Sequence, residues 1–339
     1  MRRYKPAVLR NFMAGVLIKL DVPEEDARIV AEVLLKAELK GLSSHGILRF
    51  PHLIRSIEAG FQMPKTEVTI EREKNNCVVV NGNSGLGIII AKKAMEIAIE
   101  KARNNGIASV GVYNTNHFGI AGYYVELATK SDMIGVAMCN TEPAMAPFGG
   151  KTPILGTNPL AVAIPTNKHE HPIILDMATS NVARGKILAA LKEKRMLEED
   201  CALDKNGNVT LYPEKAFSLL PLGGKKFGYK GYGLAFVIDI LCGPLVNAQC
   251  GKDVKGTVSL EKCTKGDLFI AIDISSFTDL GLFKSTVEQL IQEVKNDGAM
   301  FPGEIEQVKE ERNSIEGVKL EDDVYEELKE IGREYGIGI

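Results

Sequence analysis

Glycines with the wrong spacing constrain this chain more than any other feature. The apolar run CVVVNG leads into GNSGLG, with glycines at 82, 85 and 87, and a helical pattern follows. Strand, glycine turn and helix in that order frame a dinucleotide fingerprint, but that fingerprint reads G-x-G-x-x-G and has a carboxylate about 20 residues on to hold a ribose. Here the order is G-x-x-G-x-G, and the next strand ends in Tyr113-Asn114 with no carboxylate. The spacing argues against a Rossmann phosphate loop. It predicts instead a turn that uses glycine for positive φ.

Periodicity sets the rest of the frame. Residues 1–62 are helical in pattern throughout. A first helix from about Pro6 to Leu20 turns Leu9, Phe12, Met13, Val16 and Leu20 to one face. A second opens at Pro23, where the missing N–H costs nothing, and carries Ala27, Val30, Val33, Leu34 and Ala37 inward as far as Gly41. A third is expected to start at a Ser43 or Ser44 cap and to reach Gly60 with a break at Pro51.

From Glu67 the period shortens to that of strands: VTIERE and CVVVNG, then a helix over 87–105, the strand IASVGVYN, a helix to Lys130 and the strand IGVAMCNT. Residues 142–159 are dense in Gly and Pro without periodicity, which predicts a long functional loop. LAVAIP and PIILDMA are strands, and a helix capped near Thr179 or Ser180 follows. LDKNGNVTLYPEKA is a polar surface excursion, whereas KGYGLAFVIDILCGPLV is a helix too apolar to be exposed. The strand DLFIAIDI, a helix from about Phe283 to Lys295, the loop FPGEIE and a charged helix complete the chain. This pattern is mixed α/β (α+β) with helical N- and C-terminal segments. The expected units are 1–74 together with 299–339, 75–130 carrying His117, and 131–298.

Charge and cysteine usage narrow the partners. A net charge of -3 and a pI of about 6.1 give no basic face for nucleic acid. Near the N-terminus Arg10 and Lys19 confine the apolar run to residues 12–18, so the segment reads as an amphipathic helix, not a signal peptide. No other segment is expected to cross a membrane. Six cysteines without a CxxC pair predict free thiols and a cytoplasmic protein.

The chemistry has few carriers. There are five histidines. His169-Glu170-His171 lies in a polar turn and reads as solvated, and no metal site is expected. His52 has no polar companions and reads as structural. His117 follows a strand end in NTNHFG, where small and amide residues let a ligand approach; the alternative is a histidine bonded within its turn. His45 and Arg49 are spaced to share a helix face, as a surface pair or as a site. A guanidinium grips a carboxylate in bidentate fashion, and an imidazole beside it moves the proton that accompanies hydride transfer. Arg and His are the minimum set for reducing a 2-oxo acid when NAD(P)H supplies the hydride.

SSHGILRFP, NTNHFGIAGYY, NTEPAMAPFGG, LGTNPLAVAIP, LDMATSNVARGKI and FGYKGYGLA, in this order, resemble the second family of malate and lactate dehydrogenases, most of all its archaeal malate and sulfolactate members. The resemblance implies a homodimer or higher oligomer with a non-Rossmann nicotinamide-binding domain, placed in 131–298, and a small 2-oxo or 2-hydroxy acid substrate, with oxaloacetate and malate favoured over sulfolactate or lactate. By motif, Arg49 would clamp the substrate carboxylate, Ser44 and His45 would handle the proton, and His117 would be acid/base, cofactor contact or both. Thr157 would approach the substrate. The cofactor, NAD or NADP, would lie against Phe118, Gly119, Ile120, Ala121, Asn140, Leu175, Asp176, Met177, Lys230, Gly303 and Glu304. Tyr229 stands before the lysine where the family often has a histidine. Lys151, Arg184, Lys186 and Lys230 are unranked candidates for a second substrate cation. A noncatalytic nicotinamide sensor is the alternative from another class, and the retained Ser44, His45, Arg49 and His117 speak against it.

Overall fold

A short strand, β1 (Arg2–Tyr4), precedes the first helix; nothing in its own sequence marks it. It exists because the other end of the chain supplies a partner, Val318–Leu320, in antiparallel register. The computed structural model describes residues 2–167 and 171–339. Helix α1 (Pro6–Lys19) buries Leu9, Phe12, Met13 and Val16, and α2 (Glu24–Leu39) buries Val30, Val33, Leu34 and Ala37 against it, as their spacing predicts. Glu24, Glu25 and Asp26 fill the first turn of α2, where the helix dipole favours anions.

The third helix departs from expectation. Ser43–His45 and Ile47–Arg49 form two separate 3-10 turns, and α3 (Phe50–Glu58) begins only at Phe50. Pro51 therefore sits in a first turn and starts a helix where a break was expected. Neither serine caps it. The organiser is Glu38 of α2, which accepts from Ser43 Oγ at 2.6 Å and from the Ile47 N–H at 3.2 Å. Gly46, between the turns, lies so close to α2 that a Cβ there would meet Glu38 Oε2 at 2.5 Å.

Next come β2 (Thr69–Lys74), β3 (Cys77–Asn81), α4 (Gly87–Asn105), β4 (Ile107–Tyr113), α5 (Ala121–Thr129), β5 (Met133–Cys139), β6 (Leu160–Ile164) and β7 (Ile173–Met177). Later elements are α6 (Arg184–Lys192), β8 (Ala202–Leu203), β9 (Val209–Thr210), β10 (Ser218–Leu219), α7 (Gly224–Phe227), α8 (Tyr229–Cys242) and β11 (Asp267–Asp273). The chain ends with α9 (Leu280–Asn296), α10 (Glu304–Glu316), β12 (Val318–Leu320) and α11 (Asp322–Tyr335). One seven-stranded sheet runs β2-β3-β4-β11-β5-β6-β7. Within it only β3 and β4 pair in parallel. A Rossmann sheet is mostly parallel, so the topology is α+β, as the glycine spacing foretold. LDKNGNVTLYPEKA, expected as a plain excursion, contributes to a second, three-stranded sheet of β8, β9 and β10.

Alternation along the strands separates two faces. Phe269 and Ala271 of β11 join α4 and α5 in the main core, whereas Leu268 packs with Met138, Ile238, Cys242 and Val246 on the α8 side. The N- and C-terminal helices pack together beyond α4, with α1 on α11 and α2 on α10.

The glycine cluster proves to work differently from expectation. Positive φ falls on Asn83 (50°) and Ser84 (56°), not on the glycines. Asn81 Oδ1 and Asn114 Oδ1 accept from the Asn83 N–H and Ser84 Oγ at 2.9 and 2.8 Å and hold that turn. The glycines are needed for close approach. A Cβ on Gly87 would lie 2.2 Å from Asn116 O, and one on Gly82 2.9 Å from Asn114 O.

Helix α8 is the other correction. Only Gly231, Ala235, Ile238, Asp239 and Cys242 of it are buried, while Leu234, Phe236, Val237 and Ile240 are 40%, 48%, 52% and 45% exposed. Residues Tyr229–Val246, with mean hydropathy 1.3, are apolar and long enough to cross a membrane by composition, which also departs from expectation. Its regular helix, however, has 14 residues, about 21 Å against the roughly 30 Å of a bilayer core. Asp239 on its buried face accepts from the Gly251 N–H at 2.7 Å, so that face belongs to the protein interior.

Candidate active site

The two 3-10 turns held by Glu38 and the loop from β4 to α5 bring distant polar residues together. Ser44 Oγ lies 2.9 Å from His45 Nδ1. The His45 and His117 rings stack with centroids 5.6 Å apart and planes 27° apart. Arg49 Nη1 donates to the Thr257 carbonyl at 3.3 Å, while its Nε is buried without a partner. A small open cavity lies here, lined by Arg49, His52, Gln62, Gly87 and His117 with apolar walls such as Leu34. His52, read as structural, is thus part of the cavity wall, together with Arg49 three residues before it.

Burial and like charge set the protonation states. Desolvation first, and the Arg49 charge second, depress His45 from 6.5 to about 4. The same two causes, with His45, Lys265 and His52 adding to them, hold His117 well below the usual histidine range. Both imidazoles are neutral near pH 7. The Gly119 N–H donates to His117 Nδ1 at 3.1 Å, reached because Gly119 has φ 82°, so neutral His117 carries its proton on Nε2. For His45 either tautomer suits, since the Ser44 hydroxyl both donates and accepts.

Arg49 is held from behind. Glu142 accepts from the Val258 and Ser259 N–H groups at 3.0 Å each and from Ser259 Oγ at 2.6 Å, which fixes the loop whose Thr257 carbonyl meets Arg49. Burial lowers Arg49 from its ordinary value, and the Glu142 charge opposes that. Glu142 sits in NTEPAM, where a lone carboxylate among small and apolar residues was the available sign.

Helix α6 begins later than predicted. Thr179 Oγ1 donates to the Thr157 carbonyl at 2.9 Å and Ser180 Oγ to the Val182 carbonyl at 2.7 Å, so neither caps the helix. It opens at Arg184 without a side-chain cap. Its first turn lies against Ser44: a Cβ on Gly185 would be 2.9 Å from Ser44 Cβ.

A second group gathers around the end of β7. Asp176 Oδ2 accepts from the Gly122 N–H at 2.7 Å, at the start of α5. Asp176 is exposed at its surface, while the protein packed around its carboxyl raises it to about 6 against that hydrogen bond. Gly303 has φ 90° and approaches Ile174 so closely that a Cβ would be 2.7 Å from its carbonyl. Leu175, Asp176 and Met177 thus neighbour Gly303 and the Gly119–Ala121 turn. Other nominated residues lie in the scaffold or at its surface. Asn140 is fully buried, donating to the Gln249 carbonyl and accepting from the Gly266 N–H at 2.8 and 2.9 Å. Phe118 is in the core under Lys265, whose Nζ is 4.5 Å from the ring centre. Thr157 donates its N–H to Thr141 Oγ1 at 3.0 Å. Glu304 pairs with Lys295 at 2.6 Å, and Lys230 is exposed with its ammonium 6.0 Å from the Tyr229 ring centre. His169 and Glu170 fall outside the described residues.

The buried pair Lys265–Asp267, 1% and 0% exposed, carried no sequence signal. Its Lys265 lies over the Phe118 ring and adds to the positive potential on His117.

Known proteins share this arrangement of chain. The family model described as malate/L-lactate dehydrogenase matches residues 4–329. A malate/(S)-sulfolactate dehydrogenase of Methanothermus fervidus is 47% identical over 337 residues, 98% of each chain. The solved sulfolactate dehydrogenase of Methanocaldococcus jannaschii superposes with a TM-score of 0.92 at 47% identity, covering 99% of this chain and 98% of that one. The malate dehydrogenase structure from Pyrococcus horikoshii OT3 gives 0.91 at 37% identity, with 99% and 96% covered. Matched along almost its whole length in sequence and in fold, the chain belongs to the malate/L-lactate dehydrogenase family.

Proposed function

We propose that the protein interconverts a small 2-oxo acid bearing a second acidic group, oxaloacetate or its sulfonated counterpart, with the corresponding 2-hydroxy acid, using a nicotinamide cofactor. The observation that carries this is Arg49, a largely buried guanidinium with an unpartnered Nε, in one cavity with His117 and beside the Ser44–His45 pair. A carboxylate on Arg49 would satisfy that buried donor and fix the orientation of a small acid.

The chemistry of the second group fits the cofactor. One Asp176 oxygen is held by the Gly122 N–H, which leaves the other to accept from a ribose hydroxyl. Gly119, Ile120, Ala121, Leu175, Met177 and Gly303 would form the surface around it, with Asn140 and Phe118 supporting from the core. Bound there, the nicotinamide supplies or accepts the hydride. Asp176, with Glu306 near enough to raise its carboxyl further, disfavours a 2′-phosphate, so we read the preference as NAD.

His45 carries the proton. As a neutral base in hydroxy-acid oxidation it takes up the hydroxyl proton on Nε2 and becomes an imidazolium whose Nδ1–H donates to the Ser44 hydroxyl. In the reverse direction, a substrate carboxylate on Arg49 offsets the positive charge that depresses the imidazole, and His45 regains affinity for the proton it delivers. Neutral His117, with Nδ1 occupied, offers Nε2–H to the substrate oxygen as a polarising donor.

Malate is one reading of the substrate. Sulfolactate stands beside it because the sulfolactate dehydrogenase structure is 47% identical and the malate dehydrogenase structure 37%. The apolar face of α8, too short to span a bilayer, is assigned to contact with a second copy in a homodimer. Six unpaired cysteines accord with a cytoplasmic location. NADH oxidation with oxaloacetate, sulfopyruvate and pyruvate tests the reading. Arg49→Met should lower kcat/KM by about 3 kcal/mol, roughly a hundredfold, the scale for losing a buried charge partner. Near-wild-type kinetics in that variant would remove the carboxylate clamp from the account.

A further inference from the structure

A dianionic substrate leaves one acidic group to be received after Arg49 has taken the other, and the structure separates the four candidate cations. Lys151 packs against Gly207 and gives its carbonyl to Ser218 Oγ, beside the three-stranded sheet. Lys186 bears on Cys201, and Lys230 lies out over Tyr229. Arg184 is different. It opens α6, whose next residue, Gly185, would put a Cβ 2.9 Å from Ser44 Cβ. Ser44 is itself bonded to His45, so Arg184 starts its helix one residue from the proton-handling pair.

We infer that Arg184 is the specificity-determining cation of this site, receiving the distal carboxylate or sulfonate of the 2-oxo acid while Arg49 holds the carboxylate next to the reacting carbon. The inference rests on the substrate reading above. Arg184 is exposed, and no carboxylate is paired with it among the described residues. The uncapped N–H groups of the first turn of α6 add partial positive charge at the same place. The Arg184 charge is near enough to act on Arg49 and lower it further, with Glu142 the opposing charge. Two cations placed to hold the two ends of one acid repel each other. A substrate with two acidic ends relieves that repulsion, and one with a single end relieves only half of it. Gly185 serves the same purpose from the packing side, since any larger residue pushes the helix start away from Ser44.

The test compares wild type, Arg184→Gln and Arg184→Lys in steady state with NADH and three substrates: oxaloacetate, sulfopyruvate and pyruvate. For Arg184→Gln we expect KM for the two dianions to rise roughly tenfold or more, with the preference over pyruvate falling by a similar factor and kcat moving less. Arg184→Lys should recover part of that preference, because a point charge replaces the fork. A loss spread equally over all three substrates, or an unchanged preference, overturns the assignment to Arg184 alone. A wild-type protein that reduces none of the three overturns the substrate reading and this inference with it.

Discussion

Acidification should destabilise this protein through His45, by an amount that can be worked out. In the folded chain burial and the Arg49 charge hold this imidazole at about 4, against 6.5 for the free side chain. Between those values the unfolded chain binds a proton that the folded one refuses. The stability His45 contributes is therefore fully present above the unfolded value and is lost as pH falls through the window toward the folded one. Summed over the window, the loss reaches about 3 kcal/mol, an upper figure because His45 is only partly shielded from solvent. Other groups act in the opposite sense. Asp176 and Asp267, both raised from 3.8 to about 6, bind protons more readily when folded and gain stability as pH falls through that range. The comparison must therefore be between wild type and His45→Gln, in which those carboxylates cancel. Urea unfolding followed by circular dichroism suits a chain with no Trp. The stability difference between the two proteins should change in favour of the variant by about 3 kcal/mol at most from about pH 7.5 to about pH 4. Parallel curves, or a variant more acid-sensitive than wild type, would refute a buried, neutral His45.

Two further changes probe the scaffold behind the site. Lys265→Met leaves the Asp267 carboxylate buried with its partner gone and should cost about 3–5 kcal/mol, whereas Lys265→Met with Asp267→Leu should recover most of the loss; additive losses in urea melts would contradict a coupled pair. Gly87→Ala drives a Cβ into the backbone of Asn116 and His117, at 2.2 and 2.6 Å from their carbonyl oxygens. It should cost at least about 3 kcal/mol in stability and displace His117, lowering kcat as well; a variant with native melting temperature and rate would mean that α4 yields freely at its start.

The sequence by itself determined what depends on neighbours along the chain. Period 3.6 placed the buried faces of α1 and α2, period 2 placed the sheet strands, and the G-x-x-G-x-G order ruled out a phosphate loop. Motif order alone nominated Ser44, His45, Arg49 and His117, because their residue types are the chemistry. What it missed depends on contacts between separate elements. A helix from Ser43 was the local preference, but Glu38 offers the Ser43 hydroxyl and Ile47 N–H better-placed acceptors and so breaks the segment into two turns. His52 looked structural because the cavity it shares with Gln62 and His117 forms only on folding. The apolarity of α8 was legible, yet hydrophobicity does not say whether the covering surface is the same chain or another. Arg184 could not be ranked among four cations until Gly185 was seen against Ser44. Local propensity is a property of a few consecutive residues. Charge placement, protonation and close approach are properties of distances between segments, and only the tertiary structure sets those.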